Sequence, residues 1–110
     1  MIGLPAAGGY AGVVEADPIA LPGGRLVDEG LDDLRAGRPT AAALLVATGR
    51  QRLTALGIQV PEMPAVERPS HELYLLLAAE DPASAHGRYN ALIRQLVSYA
   101  RAADSATARR

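Results

Sequence analysis

The apolar half of this sequence is built from small and aliphatic side chains. Among 49% hydrophobic residues there is no Phe, no Trp and only four tyrosines, while alanine and leucine recur throughout. Neither of these loses much side-chain freedom in a helix, so a chain enriched in them is driven toward helices. A core rich in alanine lets helices approach closely, but each contact buries little area. That predicts modest stability for the length, or stability drawn from a partner. At 110 residues the chain suits one domain with a single core.

Glycine and proline then cut the chain into pieces. Residues 1–24 hold six glycines and three prolines, too many breakers for a helix. Short extended segments at Gly12–Ala16 and Ile19–Leu21, around Asp17-Pro18, are the expectation there. This N-terminal arm still carries Leu4, Val13, Val14, Ile19 and Leu21, more apolar surface than a free tail bears, so it is expected to lie against its own body or another chain. From Arg25 the spacing of Leu26, Val27, Leu31 and Leu34 is helical as far as Ala36, with a stop at Gly37 and Pro39. Gly30 in that helix is read as tolerated. Thr40 caps an almost wholly apolar segment, Ala41–Thr48, which has the pattern of a buried central helix. Gly49 ends or bends it, and Arg50–Leu56 is a further short helix stopped by Gly57, with Ile58 placed for the contact that follows such a stop.

Gln59–Pro69, with three prolines, reads as an extended connector. Ser70 is the expected cap of a largely buried helix through Leu73 and Leu77, and Asp81-Pro82 is a restart signal for the last helix. That helix is expected to end near Ala103. Its apolar stripe is Tyr89, Leu92, Ile93, Leu96, Val97 and Ala100, and its polar face is Asn90, Arg94, Ser98 and Arg101, flanked by Tyr99. The predicted architecture is all-α: a compact bundle of about five short helices over 25–104, an irregular, extended N-terminal arm over 1–24 and a frayed tail at 105–110.

Chemistry-bearing patterns are sparse. There is no cysteine, which removes disulfides, thiolate nucleophiles and cysteine metal sites together. His71, Glu72, Glu80, Asp81 and His86 are the residue types a metal-dependent enzyme uses. Neighbouring His71 and Glu72 point about 100° apart on a helix, though, and no pair of histidines has the one-face spacing of a metal site. Capping and exposed first turns account for each of them. Gly8-Gly9-Tyr10-Ala11-Gly12 lacks the lysine of a phosphate loop, and the chain has no lysine at all. No serine lies in a nucleophile elbow. The expectation is a protein that is not an enzyme and takes no metal or cofactor.

The basic residues are all arginine, as a GC-rich genome would also produce, and the net charge is −1. Two surfaces stand out. Thr40–Ile58 has the outline of a helix-turn-helix, with Arg50, Gln51 and Arg52 opening the second helix as the contacts a DNA-binding regulator would use. Against this stand the brevity of that helix and a slightly acidic chain, which supplies little phosphate affinity. The last helix offers Tyr89, Arg94 and Arg101 as an interaction surface. The longest apolar run, Ala41–Ala47, is far short of the ~20 residues that cross a bilayer, and no targeting pattern opens the chain, so a cytoplasmic location without membrane contact is expected. The functional expectation is a small helical interaction module or accessory subunit, paired with a second copy or a larger protein. Helices Thr40 to Leu77 look too apolar for a thin bundle to hide.

Overall fold

Among the described residues, the turns between 36 and 58 are set by a glycine or a capping side chain. A computed structural model describes residues 21–108; the extended segments expected around Asp17-Pro18 lie outside the described residues, apart from Leu21. Among the described residues there are five helices and no strand: α1 (Gly24–Arg35), α2 (Ala41–Thr48), α3 (Arg50–Ala55), α4 (Pro69–Glu80) and α5 (Ala85–Ala108). The all-α bundle expected from the alanine and leucine content is the fold.

Helix α1 ends where Gly37 takes a left-handed backbone (φ 74°). The Gly37 amide donates to the Leu34 carbonyl and the Arg38 amide to that of Asp33, at 3.0 and 2.8 Å. This pair of bonds is the Schellman closure. Gly57 (φ 89°) repeats it after α3, with the Ile58 amide on the Leu53 carbonyl and the Ile58 side chain against the core. At the start of α2 the Thr40 hydroxyl accepts from the Ala43 amide and donates 2.6 Å to Asp33. Arg38 grips the other Asp33 oxygen at 2.7 Å. The α1–α2 turn is thereby tied across both helix ends.

Helix α2 is the hub. It packs on α1, α4 and α5, and Ala42 through Val46 are buried. Its apolar circumference is therefore covered within a single chain. Gly30 is not merely tolerated: a Cβ there would run into the Ala42 carbonyl and the Val46 side chain. The bare glycine is what lets α1 lie on α2. Gly49 plays the same part at the α2–α3 bend, where Leu96 of α5 occupies the space a side chain would need. Tyr99, expected to flank the polar face of α5, is instead buried (2% exposed) and is the largest side chain in the core.

Helix α4 starts two residues earlier than a cap at Ser70 predicts. Pro69 takes the first helical position, where its missing N–H costs nothing, and Ser70 lies exposed in the first turn. Asp81-Pro82 does not open α5 directly. The Asp81 carboxylate accepts from the Ala83 amide and its carbonyl from the Ser84 amide, so Pro82–Ser84 form a turn and the helix begins at Ala85. Helix α5 then runs on to Ala108, past the end expected near Ala103.

Candidate functional site

The three residues predicted as an α5 interaction surface go to three different neighbours. Tyr89 is half-buried and meets Tyr74 of α4 edge-on, with ring centroids 5.7 Å apart at 61°. Arg94 is exposed and lines a groove of about 440 Å³ with Pro22 and Gly23, where the start of α1 leans on α5. Arg101 is also exposed but borders a different cleft, of about 380 Å³, together with Arg52 of α3. The two arginines belonged to separate sequence arguments. The fold brings them to one place.

Of the trio at the start of α3, Arg50 is occupied. Its guanidinium donates to the backbone carbonyls of Val60 and Pro61, the latter at 2.6 Å, and lies 3.9 Å from the Glu62 carboxylate. That side chain holds the connector against the bundle. Gln51 and Arg52 are exposed, on a helix of six residues that is only about 9 Å long.

The histidines and carboxylates do not gather. His71 and Glu72 stand in the first turn of α4, while Glu80 and Asp81 lie at its far end, about 14 Å away along the axis. Glu80 is paired with Arg88 at 2.8 Å, and His86 shares a 3.2 Å hydrogen bond with Asn90. Among the described residues no group of three or more His, Asp or Glu side chains is placed to hold a metal ion.

One feature of the surface was not assigned in the sequence. Helix α4 buries Leu73 and Leu77 but leaves Tyr74 37% and Leu75 50% exposed, the two large hydrophobic residues among those described that stand in solvent. With His71 and Ala78 they form an i, i+3, i+4, i+7 set, which is one continuous helix face. The signal was present in the run Leu73-Tyr74-Leu75-Leu76-Leu77. Five consecutive apolar residues occupy the whole circumference of a helix, and a helix at the edge of a bundle can bury only part of it.

The electrostatics of the described residues are structural in character. The Thr40 hydroxyl and the Arg38 guanidinium hold the Asp33 carboxyl below its ordinary range. Burial, aided by the charge of Asp28, pushes the Tyr99 phenol up.

The described chain is thus an all-α protein with α2 packed centrally among its five helices, and with Tyr74 and Leu75 exposed on the outside of α4. Comparison with known proteins finds no match: no family model, no curated protein and no solved structure is similar to this chain. No helix among the described residues is long and apolar enough to cross a membrane.

Proposed function

We propose that the protein is a small helical interaction module or accessory subunit, and that the outer face of α4 is where it meets a second copy of itself or a larger protein. The observation that carries this reading is the exposed Tyr74–Leu75 face. Both side chains sit mid-helix on a well-formed element, and Tyr74 is braced by the ring of Tyr89. Amphipathic helices are commonly read by partners through this same four-residue spacing. Docking such a face on its equivalent around a two-fold axis is the commonest way to cover it.

Within Thr40–Leu77, the exposed large apolar residues lie on α4 alone. Helix α2 has Ala42 through Val46 buried within one chain, and none of its large apolar residues is left for a partner. The module proposed here does no chemistry of its own.

Light scattering at micromolar concentration tests the proposal, with a hydrophobic dye as a second readout. The expected outcome is a dimer, or a monomer that binds the dye on α4. Leu75→Glu is expected to abolish either signal while changing monomer stability by no more than about 0.5 kcal/mol, as for other exposed positions. A monomer that binds no dye would overturn the proposal.

A further inference from the structure

The cleft between α3 and the C-terminal half of α5 has the chemistry of a ligand site. Arg52 and Arg101 approach it from helices far apart in sequence, and Ala55, Leu56 and Ala100 supply an apolar lining. Asp104 and Ser105 complete it. Among the described residues, neither arginine is hydrogen-bonded or paired with a carboxylate, in contrast to Arg35, Arg38, Arg50 and Arg88. Asp104, which lines the same cleft, is not within ion-pairing distance of either. Two arginine side chains thus line a common space without a hydrogen-bond or ion-pair partner among the described residues.

We propose that this cleft binds a small aliphatic carboxylate, its charge held by Arg52 and Arg101 and its hydrocarbon part on Ala55, Leu56 and Ala100. The planar guanidinium fork matches a carboxylate with two parallel hydrogen bonds. The groove is open, of about 380 Å³, so the acid lies along it rather than enclosed within it. Asp104 sets the charge of the ligand. A carboxylate at the rim repels a second negative charge, so a monoanion is favoured over a phosphate dianion. The Ser105 hydroxyl is available to donate to the bound anion. This site is separate from the outer face of α4 and stands whether or not that face docks a partner.

Titration of the nitrogen-labelled whole chain with isovalerate, followed by NMR, tests the proposal. Saturable shifts are expected at the amides of Arg52, Leu56, Arg101 and Ser105. Arg52→Ala and Arg101→Ala are each expected to weaken binding by about tenfold or more, and Arg101→Lys also to weaken it, since an ammonium keeps the charge but loses the fork. Both arginines are exposed, so the variants keep the parent's thermal midpoint. Inorganic phosphate is expected to bind more weakly than isovalerate, and Asp104→Asn to narrow that gap. The absence of saturable shifts, shifts that survive both arginine-to-alanine changes, or equal binding of phosphate to the parent chain would each overturn the assignment. A blocked peptide ending in a free leucine carboxylate provides the last arm; binding about tenfold tighter than isovalerate would overturn the small-molecule assignment in favour of a protein C-terminus.

Discussion

At Gly30 the usual rule for glycine in a helix reverses. Replacing glycine by alanine in a helix interior ordinarily stabilises by about 1 kcal/mol, since alanine loses less freedom on folding. Here the added methyl meets the Ala42 carbonyl and Val46, and backbone cannot swing aside as a side-chain tip can. Gly30→Ala is therefore expected to destabilise by about 1–3 kcal/mol, the cost of overpacking, seen as a lower urea midpoint at unchanged slope. Asp33 supplies the second prediction at this scale. Its folded pKa lies below its ordinary value, so its contribution is complete above the ordinary carboxylate range and is lost as pH falls through it. Asp33→Asn should lower stability at neutral pH and flatten the acid limb of the stability profile. If the variant and the parent lose stability in parallel on acidification, Thr40 and Arg38 do not act through that carboxylate.

Among the elements, α2 and α3 show how much a local pattern can specify. Thr40, Gly49 and Gly57 are single residues whose hydroxyl or missing Cβ decides a helix end, and the expected bounds of α2 follow from them directly. Where two cues competed, the reading was displaced. Pro69 and Ser70 both suit the first turn of α4, and proline took precedence. Asp81-Pro82 offered a cap, and the chain used it for a turn first. The Arg50 clamp was not legible at all, since its acceptors are carbonyls ten and eleven residues on and carry no side-chain signature. The same holds for Arg52 beside Arg101, which only the packing of α3 near α5 creates. Arg50 also gives the prediction for this scale. Arg50→Ala removes both bonds to the connector, and because the side chain is about one-third exposed the expected loss is about 1–2 kcal/mol, below the upper range for charged hydrogen bonds. Amide hydrogen exchange should rise most between Ile58 and Val66. Uniform loss of protection across all five helices would argue against a clamp local to the connector.

For the whole molecule, the absence of Phe and Trp leaves Tyr99 as the one aromatic side chain in the buried core of the described residues. Val27, Leu45, Val46, Leu53, Leu73 and Leu77 are the other large side chains fully buried with it. Because the folded phenol ionises above its ordinary pKa of 10.0, its contribution is complete below that value and is lost as pH rises beyond it through the folded pKa. The protein is therefore expected to lose stability on the alkaline side, and Tyr99→Phe to remove that part of the loss. Spectrophotometric titration checks this directly, with the Tyr99 phenol ionising above its ordinary range until the chain unfolds.

The same arrangement makes the protein its own optical instrument. With no indole to dominate the spectrum, near-ultraviolet signals come from phenol rings alone. Tyr99 sits in the interior, whereas Tyr74 and Tyr89 share the edge of α4 and α5. Global unfolding exposes the interior ring, whereas a partner arriving on α4 changes the surroundings of the Tyr74–Tyr89 pair. Each event can be followed in the unlabelled chain, with Tyr99→Phe or Tyr74→Phe assigning which ring is speaking.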